Sequence, residues 1–172
     1  ITNDGAGASI VMTSGTLNAS SLSNINGASI GITGGGIDLA SSTLTNDGTG
    51  SSVTMDGGTL SVGNISNTDN ATFAFNAGTL NLTNSGLVVG SAGQLGTDLT
   101  LSSVKKLTVS GDVTVDSGST LAITSGQHQF STNVNNNGTI NISEGTTSLS
   151  DNLNNNGAIN ISGGTTSLSD TG

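Results

Sequence analysis

Two consecutive segments of 19 residues, 135–153 and 154–172, have nearly the same sequence, and they constrain the fold more than any other feature of the chain. The two copies agree at 15 of 19 positions. Each copy holds few apolar residues, and a unit this small cannot enclose them alone. We therefore expect successive copies to stack and to bury their apolar side chains against each other. These side chains occupy equivalent positions in the two copies: Ile140, Ile142 and Leu149, then Ile159, Ile161 and Leu168.

A looser form of the same unit fills the first half of the chain. Residues 3–24, 24–46 and 46–67 each contain an Asn, a Gly, an apolar-x-apolar pair, a second Gly and a second such pair, and residues 67–90 continue the pattern. Alternation over three residues is the period of a short β-strand with one buried face. Besides the six residues of the two copies, the residues predicted to form the core are Ile10, Met12, Leu17, Ile30, Ile32, Ile37, Val53, Met55, Leu60, Phe73, Phe75, Leu80, Val113, Val115 and Leu121.

The repeat predicts an all-β fold. The apolar spacing never sustains the i, i+3, i+4 pattern of a helix, and Gly, Ser, Thr and Asn are poor residues for a helix interior. Short strands recurring roughly every 19–23 residues indicate a solenoid, in which each strand pairs in parallel with its equivalents above and below. The sequence therefore predicts a parallel β-solenoid (β-helix) of about eight rungs with Gly and Asn at the corners.

Two kinds of residue recur where the chain must turn. Glycine tolerates positive φ, and Asn is the commonest other residue to do so. Asn stacked in register can also form a ladder of side-chain amide hydrogen bonds, although the simpler interpretation is that each Asn fills a polar turn. The predicted corner glycines are Gly15, Gly35, Gly58 and Gly78, and the predicted ladder residues are Asn24, Asn46 and Asn67.

We expect residues 1–172 to form a single solenoid segment with three parts. Residues 1–90 are regular rungs, 91–134 are irregular rungs that keep the apolar pairs, and 135–172 are the two near-identical rungs. The pattern starts and stops without a recognisable cap, so we expect either a piece of a longer rod or fibre, or subunits that stack end to end.

The composition argues against several classes of partner. Charged residues are only 8% of the chain, fewer than a solvated disordered chain carries, and the absence of Pro suits strands with neighbours on both sides. A net charge of −9 with only two Lys argues against nucleic acid and anionic membrane surfaces. No apolar run approaches a membrane span and no signal peptide is evident, so we expect a mature chain or an excised segment.

Candidate catalytic groups are few. Glu144 is the single Glu, and Gly163 replaces it in the sister copy, which favours an exposed turn. Asp56, Asp112 and Asp116 lie close to turn glycines, where Asp commonly caps its own backbone. The adjacent Lys105 and Lys106 point to opposite faces of a strand, which does not suit a lyase base with a partner. We therefore expect no catalytic site.

Metal and other binding features are weak. His128 is the only His and is expected in an exposed loop, and there is no second His or Cys for zinc. No cofactor is expected, although weak Ca²⁺ binding by Asp at turns stays open.

Asn141 and Asn160 lie between inward Ile residues within N-x-S sequons, and so point outward. Thr146–Thr147 and Thr165–Thr166 stack, but over only two rungs, too few for an ice-binding plane.

The consensus N-x-x-G-x-x-apolar-x-apolar-x-x-G-x-apolar-x-apolar, closing with Leu-x-Asn, resembles a known group of repeats. It is similar to the filamentous-haemagglutinin-type repeats of bacterial secreted adhesins and to the β-strand repeats of autotransporter passenger regions. The resemblance covers nearly the whole chain. It implies a right-handed parallel β-helix that is exported to the cell surface and serves in adhesion, biofilm cohesion or a surface coat.

The functional expectation is a structural or adhesive extracellular β-solenoid of a bacterial surface protein, fibre or matrix component. Its expected partners are further copies of itself, end to end or laterally, other surface components, or glycans. The alternative is a glycan-binding module that uses a polar lateral face. A carbohydrate-active enzyme is a third, less favoured reading, because glycoside hydrolysis needs a carboxylate pair at one site.

Overall fold

The computed structural model of the protein describes residues 1–149 and 151–168. Over these residues the chain forms 22 β-strands and no helix, so the region contains no helix long and apolar enough to cross a membrane. The last four residues of the second 19-residue copy, 169–172, lie outside the described residues. The chain divides into two compact units, Ile1–Asn84 (unit 1) and Ser85–Gly172 (unit 2).

Unit 1 is a parallel β-solenoid of four rungs. Its first strands form a sheet in the order β1-β4-β7-β9, and the later strands of each rung pair in the orders β2-β5-β8-β10 and β3-β6-β8. In the third and fourth rungs the second and third strands are continuous. The strands are β1 (Thr2–Asp4), β2 (Ser9–Met12), β3 (Thr16–Asn18), β4 (Leu22–Ile25), β5 (Ser29–Ile32), β6 (Gly36–Asp38), β7 (Thr43–Asp47), β8 (Ser52–Val62), β9 (Asn64–Thr68) and β10 (Thr72–Leu82).

Unit 2 is also a parallel β-solenoid of four rungs with three strands each. Equivalent strands pair in the orders β11-β14-β17-β20, β12-β15-β18-β21 and β16-β19-β22. The strands are β11 (Leu87–Val89), β12 (Asp98–Leu101), β13 (Lys105–Val109), β14 (Val113–Val115), β15 (Thr120–Ile123), β16 (Gln127–Phe130), β17 (Val134–Asn136), β18 (Thr139–Ile142), β19 (Thr146–Leu149), β20 (Leu153–Asn155), β21 (Ala158–Ile161) and β22 (Thr165–Leu168).

The predicted all-β fold, with stacked parallel strands and about eight rungs, is confirmed. The two 19-residue copies pair in register, Ile140 with Ile159 and Ile142 with Ile161. The same column reaches back through Leu121, which pairs with Ile140. Regular register therefore extends into residues 91–134, where the sequence pattern alone looks irregular.

Side chains that alternate inward along each strand form the core. Ile30 and Ile32 on β5 pair with Val53 and Met55 on β8, and all four are at most 2% exposed. The other predicted core residues that are buried are Ile37, Leu60, Phe75, Leu80, Val113, Val115, Leu121, Ile140, Ile142 and Leu149.

Seven residues predicted to be core are less buried than expected. Six lie on strands with a paired neighbour on one side only, so one side of each inward column stays open. Ile161 is 50% exposed and Leu168 52% exposed for this reason. Phe73 continues the column of Val53 with a larger ring, part of which reaches solvent. The six residues on outermost strands are Ile10, Met12, Leu17, Ile159, Ile161 and Leu168.

The four predicted corner glycines of unit 1 all have positive φ, between 63° and 99°. Three of them also lie against the backbone of the rung before. A Cβ added at Gly35 would lie 2.5 Å from the carbonyl oxygen of Gly15, and one at Gly58 would lie 2.7 Å from that of Gly35. Gly78 is placed in the same way against Gly57. Glycine at this corner therefore permits both the turn and the close stacking of rungs.

A glutamine side chain covers the outer edge of β11. β11 pairs with β14 on one side. On β11 itself, the backbone N–H of Val88 donates to Gln94 Oε1 at 2.9 Å, and Gln94 Nε2 donates to the carbonyl oxygen of Gly86 at 3.0 Å. The amide thus takes the place of a neighbouring peptide group. The contact thus satisfies backbone groups of β11 on the side away from β14.

Candidate functional site

A ladder of four asparagines runs through unit 1. Asn3 Nδ2 donates to Asn24 Oδ1 at 2.7 Å, Asn24 Nδ2 to Asn46 Oδ1 at 2.8 Å, and Asn46 Nδ2 to Asn67 Oδ1 at 2.7 Å. Asn24 and Asn46 are fully buried and Asn3 is 7% exposed. The predicted asparagine ladder is therefore present, and it includes Asn3, which was not among the predicted members.

Each ladder amide also bonds to the backbone. Asn46 Nδ2 donates to the carbonyl oxygen of Thr72 at 2.8 Å, and Asn67 Nδ2 to that of Ala71 at 3.0 Å. A buried amide is costly unless it is hydrogen-bonded, and these side chains satisfy both each other and corner carbonyl groups. The ladder therefore fixes the register of successive rungs with groups that carry no charge.

A shorter ladder occurs in unit 2. Asn136, fully buried, donates from Nδ2 to Asn155 Oδ1 at 2.7 Å and to the carbonyl oxygen of Ala158 at 2.9 Å. Its own Oδ1 accepts from the backbone N–H of Gly138 at 3.2 Å. The earlier strands of this sheet carry Val115 and Val89 at the equivalent position. The signal for this ladder was the middle Asn of the NNN triplet, repeated after 19 residues.

Most of the side-chain carboxylates with a resolved hydrogen bond accept from polar groups of a neighbouring rung. Asp56 Oδ1 accepts from Asn76 at 2.8 Å, and Asp112 Oδ1 accepts from Asn133 at 3.1 Å. The sequence pattern predicts that these two Asp cap their own backbone, whereas their side chains bond to an amide of the next rung. Glu144 lies on an exposed bend, as the sequence suggests. Among the described residues, no three His, Cys, Asp or Glu are grouped so as to hold a metal ion.

His128 is not in an exposed loop, which corrects the sequence-based expectation. It lies on β16, is 7% exposed, and its Nε2 is 2.9 Å from the carbonyl oxygen of Ser125. The reason is register: His128 pairs with Thr147 on β19, which pairs with Thr166 on β22, and this column faces inward. The Oγ1 atoms of Thr147 and Thr166 are buried and have no hydrogen-bond partner.

The outward face of the same sheet carries two rows of polar side chains. Gln127, Thr146 and Thr165 form one row in register. Gln129 and Ser148 begin the second row, which Ser167 completes. Amides and hydroxyls at the spacing of parallel strands, about 4.8 Å, present alternating hydrogen-bond donors and acceptors to solvent.

A groove of about 570 Å³ lies in unit 2 between β13 and β16. Residues 106–109 of β13 form one wall, and residues 127–129 of β16, with Ser131, form the other. Thr146 and Ser148 extend its surface onto β19. The lining of the groove includes one lysine, Lys106, whose side chain is exposed.

The neighbouring lysine has a different environment. Lys105 is partly buried, and its Nζ donates to the carbonyl oxygen of Thr100 at 2.8 Å. Burial lowers the pKa of Lys105 below its usual 10.5, because desolvation disfavours the charged form. The two adjacent lysines thus differ in environment, as their alternation on a strand suggests.

No protein-family model matches the chain, and no curated protein or solved structure matches it. The fold is a parallel β-solenoid on the evidence of its own strand pairing. Function is therefore inferred from the residues of the chain itself.

Proposed function

We propose that the chain is a structural or adhesive β-solenoid of a bacterial surface protein, fibre or matrix component, exported from the cell. The observation that carries the proposal is the asparagine ladder, present in both units. Its members are amides, which do not titrate and form no salt bridges. A scaffold held in register in this way keeps its internal bonds through changes of pH and salt, which suits a protein outside the cell.

The role proposed is non-catalytic. Asp56 and Asp112 bond to amides of the next rung, so these carboxylates serve the stacking of rungs. Glu144 is exposed, and a glycine occupies the equivalent place one rung further on. These positions favour a scaffold over the carbohydrate-active enzyme considered from the sequence.

Self-association fits the same role. Ile161 and Leu168 continue buried columns on the outermost paired strands of unit 2, and about half of each side chain is exposed. Any further rung stacked against these strands would cover them and add backbone hydrogen bonds, and we propose that in self-association a second copy supplies that rung. Ile161→Asp should abolish concentration-dependent association in analytical ultracentrifugation, whereas Asn160→Asp on the outward face should not.

A second candidate function is glycan binding by the outward polar rows of β16, β19 and β22. The supporting observation is the pair of rows that begin at Gln127 and Gln129. Sugar hydroxyl groups are recognised by such donors and acceptors. On a glycan array, saturable binding that is lost with Thr146→Val and Ser148→Ala would support this function, and the absence of any saturable binding would remove it.

The leading proposal is tested on the cells that make the protein. Antibodies raised against the purified chain should label intact, unpermeabilised cells, and deletion of the coding region should reduce attachment or cell–cell cohesion. Labelling that requires permeabilised cells would contradict the surface location. Unchanged attachment and cohesion after deletion would contradict the adhesive role.

A further inference from the structure

The groove between β13 and β16 exposes strand edges as well as side chains. Side chains of a strand alternate between its two faces, so consecutive residues line one space only where the edge of the strand borders it. Residues 106–109 and 127–129 are both consecutive runs. Each wall of the groove therefore includes backbone.

The direction of one hydrogen bond shows which backbone groups of β16 face the groove. The backbone N–H of Thr146 on β19 donates to the carbonyl oxygen of Gly126 at 2.8 Å. Backbone groups of alternate residues point to the same side of a strand, so the groups of His128 and Phe130 also face β19. Those of Gln127 and Gln129 face the opposite side. Since β16 is the first strand of its sheet, that side is the groove.

We propose that this groove binds an extended peptide segment that carries an acidic residue, by strand addition to β16. Two N–H and two C=O groups, from Gln127 and Gln129, repeat at about 6.6 Å along the edge, which matches alternate residues of an extended chain. Lys106 provides the positive charge in a molecule whose net charge is −9. A carboxylate on the peptide pairs with the ammonium group of Lys106.

Backbone pairing distinguishes this partner from a glycan. A sugar would bond to the outward side chains of Gln127, Gln129, Thr146 and Ser148, and would not need the N–H groups of β16. A peptide strand requires those N–H groups and tolerates changes of the outward side chains. The proposal is independent of the scaffold role, since it concerns the gap between β13 and β16, where two successive rungs do not pair, and not the rungs that are paired.

The test uses the full chain and a pool of nine-residue peptides, randomised except for one fixed aspartate. The immobilised chain should enrich a subset of peptides, and their Kd values are then measured by fluorescence anisotropy. Gln129→Pro removes one groove-facing N–H while leaving the ladder to β19 in place, and should weaken binding about fivefold or more. The matched control Gln129→Ala keeps the N–H and should bind within about twofold of wild type.

Two further arms test the backbone pairing and the charge separately, and the first of them uses the unmodified chain. N-methylation of one alternate set of residues of an enriched peptide blocks its hydrogen bonds to β16 and should abolish binding to the unmodified chain, whereas methylation of the other set, which faces away from β16, should not. Lys106→Glu should weaken binding about fivefold or more and reverse its dependence on salt, because added salt then screens a repulsion. Circular dichroism checks that each variant is folded, and Gln127→Pro replaces Gln129→Pro if the latter unfolds.

Three outcomes would overturn the proposal. The first is that the immobilised wild-type chain enriches no peptide relative to the immobilised Gln129→Pro variant. The second is that the peptides methylated on either alternate set both bind as well as their parent. The third is that an oligouronate of six sugars binds to wild type but to neither Gln129→Pro nor Gln129→Ala, and that it displaces the enriched peptides, which would assign the groove to glycan recognition by side chains.

Discussion

Asn24 Nδ2 donates to Asn46 Oδ1 at 2.8 Å across 22 residues of sequence, and both side chains are fully buried. The contact joins equivalent corners of two successive rungs. It shows how a chain with 31% hydrophobic residues specifies its register: a buried polar column has one satisfied alignment, and a shifted rung would leave its amides without partners.

Removal of one ladder amide should destabilise unit 1 strongly. Asn46→Ala takes away the acceptor of Asn24 and the donor to Asn67 and to the Thr72 carbonyl oxygen. Because buried polar groups are left unpaired, we expect a loss of roughly 2–4 kcal/mol in the free energy of unfolding, measured with urea. Asn76→Ala, which removes an exposed amide bonded to Asp56, should cost less than about 0.5 kcal/mol. Equal losses in the two variants would refute the role given to the ladder.

Two corner glycines allow the cost of backbone strain to be measured separately from the cost of disturbing the stacking of rungs. Gly15 and Gly35 both have positive φ, 74° and 64°, but a Cβ meets nothing within 4 Å at Gly15 and lies 2.5 Å from a backbone oxygen at Gly35. Gly15→Ala should therefore cost about 1 kcal/mol from backbone strain alone. Gly35→Ala should cost at least about 2 kcal/mol more, since the rungs must move apart. Urea denaturation of both variants checks this, and similar costs would contradict the close stacking at this corner.

The inward hydroxyl of Thr147 should reduce stability. Its Oγ1 is buried without a hydrogen-bond partner, and valine has nearly the same shape without the polar atom. We expect Thr147→Val to raise the melting temperature, with a gain of about 1 kcal/mol. Thr146→Val, one residue earlier on the outward face, should change stability by less than about 0.5 kcal/mol. If Thr147→Val were destabilising, the hydroxyl would have an unrecognised partner.

The pKa of Lys105 predicts an alkaline pH dependence. Burial places the folded-state pKa of Lys105 below the unfolded value of 10.5. At a pH between these two values, Lys105 is more protonated in the unfolded chain than in the folded one. The free energy of unfolding should therefore rise with pH through this window. Lys105→Met should lack the rise, and Lys106→Met, at an exposed position, should retain it. A wild-type profile that parallels that of Lys105→Met at every alkaline pH up to 10.5 would contradict the burial of the charge.

The sequence predicts much of the fold because the apolar pairs carry the strand period and the near-identical copies carry the rung length. It also predicts Asn24, Asn46 and Asn67 as ladder members. Asn3 and Asn136 carry the same signal: Ile1–Gly5 parallels Leu44–Gly48, and Asn136 recurs as Asn155 after 19 residues.

The remaining features depend on contacts that no local pattern encodes. The burial of His128 follows from its alignment with Thr147, which is 19 residues further on, although its polar neighbours suggest a loop. Gln94 covers the edge of β11 through hydrogen bonds that any exposed Gln can make. The groove exists because β16 begins its sheet, a property of strand pairing in three dimensions and not of the residues that line it.

The most direct test of the central claim, that buried asparagine ladders align the rungs, is NMR of the side-chain amides. The Nδ2 hydrogens of Asn24, Asn46 and Asn136 should exchange with solvent many-fold more slowly than those of the exposed Asn76 and Asn160. Cross-relaxation should also connect Asn24 to Asn46 and Asn136 to Asn155. Rapid exchange of all five amides, with no contact between residues 19–22 positions apart, would contradict the account.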